Sequence, residues 1–241
     1  MIGEVKKWLK RTSPFALSKN HHYDILTKQI IEKYCVSGSN CIDVGCHEGE
    51  VLNMFLKIAP RGNHFAFEPV PYLFEKLLKK YDNKKNCHIY HYALSNAEGQ
   101  TAFNHVISNP AYSGIKKRHY DRKDEKDETI TVTKKRLDDI IPQTLKIDFI
   151  KIDAEGGDFD VMLGAKKIIT NSRPLIVFEF GIGGSDIYGA SPELLYRFLN
   201  EVGYEVSLLD SFLKKKPSLT LEELNKQFIN KMNYYFIAYS M

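Results

Sequence analysis

Acidic residues next to glycines stand out among the residues of this sequence that could do chemistry. The first acid, Asp43, lies in the otherwise apolar run 41–44. The residues that follow it are Gly45, Cys46, His47, Glu48 and Gly49. This order predicts a buried strand that ends in a loop, and the apolar periodicity of 51–59 predicts a helix directly after it. Such a unit directs backbone N–H groups and a helix N-terminus at a ligand, and glycine lets that ligand approach closely.

The second acid, Glu68, ends the next predicted strand, 63–67, and is followed by Pro69. A carboxylate at this place commonly accepts hydrogen bonds from ribose hydroxyls. His47 stands where a dinucleotide fingerprint needs its middle glycine, and the sequence has no Walker lysine. Asp43 would repel a phosphate but attract an ammonium group. The two acids and the loop between them therefore suit S-adenosylmethionine, and an ordinary strand–turn–helix is the plain alternative.

Two further acids are predicted at strand ends, Asp153 after the strand 147–152 and Glu179 within the strand 174–180. Helical patterns alternate with these strands, which predicts an α/β fold with an open, mostly parallel sheet and helices on both faces. In such sheets, ligands bind beyond the C-terminal ends of the strands. We therefore expect all four acids at one edge of the sheet, where a solvated surface does not explain them.

Composition narrows the class of protein. The chain has 241 residues, 43% hydrophobic and 27% charged, which is typical of one globular domain. Its net charge of +4 is small, and the basic residues are scattered, so a nucleic-acid partner is not expected. No apolar run approaches the ~18 residues of a membrane span, and the N-terminus lacks a signal-peptide core. The four cysteines form no C-x-x-C pair, which favours a reduced, cytoplasmic protein without a zinc site.

The expected organisation is an N-terminal helical segment, 1–40, and a domain that spans 41–241. Residues 1–12 contain an apolar stripe within basic surroundings, and its members are Ile2, Val5, Trp8 and Leu9. Such a stripe either packs on its own domain, the commoner outcome, or makes a peripheral contact with a membrane. A second helix, about 22–35, is expected to cover one edge of the sheet. The oligomeric state is left open.

The remaining patterns predict how the sheet is completed. A helix begins at Pro71, a strand covers 87–92, and a hairpin-like pair joins 100–106 to 129–133. The polar segment 108–128 is either a solvated loop or a lid over an active site. One helix is expected over about 159–170 and another from Pro192. The strands 204–209 and 234–239 are expected to pair antiparallel at the sheet edge.

Several short motifs occur in an order that resembles FkbM-type methyltransferases over roughly residues 40–210. They are Asp43-Val44-Gly45-x-x-x-Gly49, Phe67-Glu68-Pro69, Ala93-Leu94-Ser95-Asn96-x-x-Gly99, Arg136-Leu137-Asp138-Asp139, Ile150-Lys151-Ile152-Asp153-x-Glu155-Gly156, Leu163-x-Ala165 and Pro174-x-x-x-x-Glu179. The resemblance implies a Rossmann-like class I fold with a seven-stranded sheet and an antiparallel edge strand. It also implies S-adenosylmethionine as methyl donor and, usually, O-methylation of a hydroxyl on a sugar, glycan or natural product.

The resemblance also implies which residues bind the cofactor. They are Asp43, Gly45, Cys46, His47, Gly49, Glu68, Pro69, Ala93, Leu94 and Ser95. Two departures from the family pattern matter. Cys46-His47 replaces the common Ala-Asn, which a loop that works through its backbone tolerates. Gly157-Asp158 replaces a frequent His-Glu, so an acid/base role of that family histidine is not carried over.

Methyl transfer to oxygen needs alignment of the acceptor and removal of one proton. Asp153 is the first candidate to face the methyl group, and Glu155 and Glu179 are the alternates for base or acceptor contact. Glu155 fits equally well as a capping acid of the next helix. The three carboxylates could instead hold a divalent metal. Two other functions remain open, a non-catalytic S-adenosylmethionine-binding module and an NAD-linked oxidoreductase.

Overall fold

A computed structural model describes residues 18–120 and 124–240, which fold around a seven-stranded sheet. Its strands, numbered in chain order, are β1 (Cys41–Val44), β2 (His64–Phe67), β3 (Cys87–Tyr90), β7 (Phe149–Ile152), β8 (Leu175–Glu179), β9 (Tyr204–Leu208) and β10 (Tyr235–Ser240). A separate three-stranded sheet contains β4 (Ala93–Leu94), β5 (Gly99–Val106) and β6 (Asp127–Lys135). The large sheet has the order β3-β2-β1-β7-β8-β10-β9.

The strand directions confirm the predicted fold class. The pairs among β3, β2, β1, β7 and β8 are parallel, whereas β10 is antiparallel to both β8 and β9. The predicted antiparallel pairing of 204–209 with 234–239 is therefore confirmed. The antiparallel strand lies one position inside the edge, because β10 fills the space between β8 and β9. The predicted hairpin also forms, as β5 pairs antiparallel with β6.

Helices cover both faces of the large sheet. They are α1 (Lys19–Tyr34), α2 (Glu50–Ile58), α3 (Pro71–Tyr81), α4 (Asp158–Leu163), α5 (Lys166–Ser172), α6 (Pro192–Glu201), α7 (Leu209–Leu213) and α8 (Leu221–Ile229). Consecutive strand residues point to opposite faces, so Phe149 packs in the cluster with α1 while Ile150 packs in the cluster with α6. Both faces are apolar, as expected of a mainly parallel sheet.

Helix α1 lies on a face of the sheet, so the expectation that it covers an edge is wrong. Its buried Tyr23, Ile30 and Ile31 pack in one cluster with Phe149 and Val177 of the central strands. These strand side chains need an apolar cover, which α2 with its nine residues does not provide alone. The stripe of residues 1–12 lies outside the described residues.

The single helix expected over 159–170 is two helices, α4 and α5. The chain turns at Gly164, where an added Cβ would lie 2.1 Å from the carbonyl oxygen of Ser95. The carboxylate of Asp138 then caps the second helix by accepting the backbone N–H groups of Lys167 at 2.9 Å and Ile168 at 3.0 Å. Within 18–120 and 124–240, no helix combines the length and apolar composition that a membrane crossing requires.

Candidate active site

The four predicted acids lie in a row. Asp43 and Glu179 belong to β1 and β8, and Glu68 and Asp153 directly follow β2 and β7. These strands are neighbours in the order β2-β1-β7-β8, and they run parallel. Their C-terminal ends therefore place four carboxylates side by side at the edge where ligands of such sheets bind.

The glycine loop after β1 passes closely over the end of β7. Gly45 has a φ of 71°, and a Cβ at this position would lie 2.0 Å from the carbonyl oxygen of Asp153. Only glycine fits this backbone position without a shift of β7. The predicted function of the loop, a close approach of backbone to ligand, is compatible with this geometry.

The carboxylate of Glu68 fastens the loop to the start of α3. Its Oε2 accepts the backbone N–H of His47 at 2.8 Å, and its Oε1 accepts that of Val70 at 2.9 Å. Glu68 is buried, and burial raises the pKa of its carboxyl to about 7, although both hydrogen bonds oppose the rise. Each carboxylate oxygen can accept more than one hydrogen bond, so both remain able to bind hydroxyl groups.

Asp43 and Asp153 share the lysine between them. Asp43 Oδ2 accepts the backbone N–H of Leu52 at 3.1 Å, and burial raises the pKa of Asp43 to about 7 against the opposing charge of Lys151. Asp153 Oδ2 accepts hydrogen bonds from Lys151 Nζ at 2.9 Å and from Tyr235 Oη at 2.7 Å. Burial alone would raise the pKa of Asp153, but Lys151 and Tyr235 outweigh it and hold that pKa below its ordinary value.

Arg118 joins the alternates Glu155 and Glu179. Its guanidinium forms an ion pair with Glu155, lies 3.7 Å from a Glu179 oxygen and donates from Nε to the Gly183 carbonyl at 3.2 Å. Burial still raises the pKa of Glu179 to about 8, and burial together with neighbouring Glu179 raises that of Glu155. No sequence pattern distinguishes Arg118, because it lies among many charged residues of the polar segment 108–128.

Glu155 does not cap the next helix. Helix α4 begins after Gly157 with no side-chain cap, and the Glu155 side chain turns to Arg118 instead. The fully buried Asp158 instead stabilises this region, because it accepts the backbone N–H groups of Ala154 at 3.2 Å and Glu179 at 2.9 Å. The capping alternative for Glu155 is therefore wrong, and Asp158 ties the ends of β7 and β8 together.

Two clefts meet at the glycine loop. The first has a volume of about 750 Å³, which includes open solvent at its mouth. Its walls include Glu68, Pro69, Ala93, Leu94, Ser95, Ser113, Glu155 and Tyr188. The second lies between α1 and α2 and is bordered by Asp43, Lys151 and Tyr235. Gly45, His47 and Asp153 line both clefts. Cys46 packs in a core cluster, and burial raises the pKa of its thiol, which does not suit a nucleophile.

The metal alternative has a partial geometric basis. One carboxylate oxygen from each of Asp153, Glu155 and Glu179 can be chosen so that all three lie within 4.8 Å of one another. Arg118 already places its positive charge against Glu155 and Glu179. Arg118 therefore supplies these carboxylates with the positive charge that a metal ion would otherwise supply.

Comparison with known proteins identifies the family. The sequence model of the FkbM methyltransferase domain matches residues 43–206, well over half of the chain. The chain belongs to the FkbM methyltransferase family, as the motifs predicted, and S-adenosylmethionine is the methyl donor of that family. This membership decides against the NAD-linked oxidoreductase.

A curated relative is 2-O-methyltransferase NoeI of Sinorhizobium fredii, which is 26% identical over 145 residues. The match covers 55% of this chain and 59% of NoeI. Among solved structures, Aeropyrum pernix fibrillarin with natively bound S-adenosyl-L-methionine matches 89% of this chain and 74% of its own, at 12% identity and a TM-score of 0.46. Precorrin-6y C5,15-methyltransferase of Geobacter metallireducens matches 82% of this chain and 77% of its own, at 14% identity and a TM-score of 0.42.

Proposed function

We propose that this chain transfers the methyl group of S-adenosylmethionine to a hydroxyl oxygen of a sugar, glycan or natural product. The observation that carries the proposal is the carboxylate of Asp153, which is oriented by two hydrogen bonds where the two clefts meet. The relative NoeI is a 2-O-methyltransferase, which supports oxygen as the acceptor atom.

The charges of the edge suit a cationic cofactor. Five acids, Asp43, Asp153, Glu155, Asp158 and Glu179, lie near only two basic side chains that face them among the described residues, Lys151 and Arg118. S-adenosylmethionine supplies an electrophilic methyl group on a positively charged sulfonium. A cation bound here would favour the ionised form of the acids whose pKa burial has raised, and it would interact with them more strongly than with water-exposed acids.

The two clefts are proposed to hold opposite ends of the cofactor. Glu68 is proposed to accept the ribose hydroxyls, and the apolar walls near Ala93, Leu94 and Phe103 to receive the adenine. The amino-acid end is proposed to lie at the second cleft, where Asp43 attracts its ammonium group through the glycine loop. The loop residues Gly45, His47 and Gly49 act through their backbone.

Asp153 is proposed as the residue that takes the proton. As the acceptor oxygen bonds to the methyl carbon and the carbon–sulfur bond breaks, the hydroxyl proton passes to the carboxylate. Both bonds from Lys151 and Tyr235 go to Oδ2, so Oδ1 is the oxygen that can receive it. A pKa below the ordinary value keeps Asp153 ionised at neutral pH, whereas the raised pKa of Glu179 favours its protonated form. Glu155 and Glu179 remain proposed for contact with the acceptor.

Labelled S-adenosylmethionine and a panel of sugars, glycans and natural products would test the reaction. A general base contributes about 10²–10⁴-fold, so Asp153→Asn should lower turnover by that factor. Its affinity for S-adenosylhomocysteine should change little. Asp210→Asn, the same substitution at an exposed residue that pairs with Lys214, should leave turnover unchanged.

Three outcomes would contradict parts of the proposal. If Asp153→Asn abolishes binding of S-adenosylhomocysteine, Asp153 serves the cofactor and the base is Glu155 or Glu179. If a chelator removes activity and Mg²⁺ restores it, the three carboxylates are metal ligands. If the cofactor binds but no acceptor is methylated, a non-catalytic binding module is the better description.

A further inference from the structure

Lys151 lies between Asp43, which is proposed to attract the ammonium group of the cofactor, and Asp153, which is the proposed base. It stands directly opposite Asp43 in the register of β7 with β1, and strand periodicity puts it on the same face as Asp153. Its Nζ lies 2.9 Å from Asp153 Oδ2, and its side chain is only 7% exposed. Removing a lysine side chain from water has a large free-energy cost, even between two carboxylates. Packing alone therefore does not explain why Lys151 is buried here.

Tyr235 of β10 completes the support of Asp153 on the same face of the sheet, where it packs with α1. Its hydroxyl donates to Asp153 Oδ2 at 2.7 Å, and Lys151 Nζ lies 5.0 Å from the centre of its ring. The ring stacks on Tyr23 of α1 at 5.1 Å between centroids. Packing thus fixes the tyrosine ring, and the ring fixes the direction of the hydroxyl.

The surroundings of Asp153 are mostly acidic. Asp43 faces it from β1, Glu179 from β8, Asp158 from α4 and Glu155 from the loop that follows it. The opposing groups are Lys151 on its own strand, Tyr235 on β10 and Arg118 from the segment after β5. Without Lys151, the negative charges on Asp43 and Asp153 would repel each other with little compensation.

We propose that Lys151 and Tyr235 are positioning residues, which keep Asp153 ionised and aimed at the acceptor, and that Lys151 links its charge to that of Asp43. This inference rests on the proposed function, because the aimed carboxylate is the proposed base. Neither side chain exchanges a proton or bond with the substrate. Both act through Asp153.

The pH dependence separates a positioning role from a structural one. Tyr235→Phe keeps the ring and its stacking on Tyr23 but removes the hydroxyl. We expect kcat near neutral pH to fall about tenfold, since a hydrogen bond to a charged group is lost. The acidic limb of the kcat profile should move to higher pH, and KM for S-adenosylmethionine should stay within about twofold. Tyr239→Phe, on the same strand β10, is the matched control.

The role of Lys151 is tested by one substitution that removes its charge and one that keeps it. Lys151→Met should raise the pKa of Asp153 by about 1–3 units, the usual effect of a neighbouring opposite charge, and shift the acidic limb accordingly. Lys151→Arg, which keeps the charge, should restore most of the wild-type profile. If Lys151→Met does not fold, Lys151→Arg and Tyr235→Phe still give the comparison.

A measurement on the cofactor-free protein keeps this inference separate from the proposed function. Carboxyl ¹³C NMR of labelled aspartate, assigned with Asp153→Asn, follows the titration of Asp153 without any turnover. We expect a pKa below the ordinary value in the wild type and a higher one in Tyr235→Phe. Unchanged titration and an unchanged pH profile in that variant, with only a lower Tm, would overturn the inference. A failure to methylate any acceptor would instead count against the proposed function alone.

Discussion

Both carboxylate oxygens of Glu68 accept backbone N–H groups, one from His47 and one from Val70. The residue that is proposed to bind the ribose therefore also braces the loop that is proposed to border the methionine chain. A change at Glu68 should act on the cofactor in both ways, because the loop loses an anchor when the ribose loses an acceptor.

Glu68→Ala should weaken the binding of S-adenosylhomocysteine by about 1–3 kcal/mol, the cost of hydrogen bonds to a charged acceptor. Isothermal titration calorimetry would measure it. Glu98→Ala is a suitable control, since Glu98 is exposed and pairs with Lys135 away from the clefts. Unchanged affinity in Glu68→Ala would remove Glu68 from the cofactor site.

The acids could be predicted from the sequence because each one lies near or at the end of an apolar run, and the end of a parallel strand is a known place for a ligand. Arg118 and Tyr235 could not. Arg118 lies in a stretch where Lys116 and Lys117 have the same character, and no local pattern says which of them reaches Glu155. The contact of Tyr235 with Asp153 joins residues far apart in the sequence, and apolar periodicity does not encode such a pairing.

At the scale of elements, the segment after β5 is more than a solvated loop. Pro110, Ala111 and Ser113 line the first cleft, and Gly114 forms an isolated bridge with Asn104 of β5. The backbone N–H of Lys116 donates to the Tyr188 hydroxyl at 2.9 Å. The described part of the predicted lid thus lies along the cleft and touches the loop after β8.

We predict that this segment is a mobile cover whose latch is Arg118. Hydrogen exchange of residues 108–120 should be fast in the free protein and slower with S-adenosylhomocysteine plus acceptor. Arg118→Gln should speed this exchange in both states, because the ion pair with Glu155 and the contact with Glu179 are lost. Lys117→Gln is the control, since the neighbouring Lys117 is 61% exposed and pairs with Asp127.

Equal protection of the segment in the free and bound protein would make it an ordinary surface loop. An equal effect of Arg118→Gln and Lys117→Gln would show that general charge, rather than the contact with Glu155 and Glu179, controls the exchange.

Helix boundaries are a second feature that the sequence alone does not predict here. The apolar pattern runs without interruption from Val161 through Ile169, because α4 and α5 pack into the same core cluster. The break between them depends on the Ser95 carbonyl passing beside Gly164 and on Asp138 capping α5. These partners come from other parts of the chain, so the periodic pattern alone predicted one helix.

At the scale of the molecule, the acidic edge makes stability depend on pH. Burial raises the pKa of Asp43 and Glu68 to about 7, that of Asp158 to about 6 and that of Glu179 to about 8. The folded chain then holds protons that the unfolded chain has already released. The free energy of unfolding therefore falls as pH rises from about 4 to about 8.

Thermal unfolding of the cofactor-free protein should thus give a lower Tm at pH 8 than at pH 6. One kcal/mol corresponds to roughly 2–4 °C in a domain of this size. Glu68→Gln, which removes one of the titrating groups, should flatten the dependence. A Tm that rises over this range would show that other titrating groups outweigh the acidic edge.

The position of β10 in the sheet means that the sheet cannot be completed until the last strand has been synthesised. This strand follows β9 in the chain but lies between β8 and β9 in the sheet. While a ribosome is still adding residues before 235, β8 exposes a free edge, the kind of surface on which strands of other chains can pair. Tyr235 arrives with the same strand, so the support of Asp153 is also missing at that stage. Until β10 pairs with β8, the growing polypeptide therefore exposes this edge and lacks the Tyr235 hydrogen bond to its proposed base. The pairing of one strand ends both conditions.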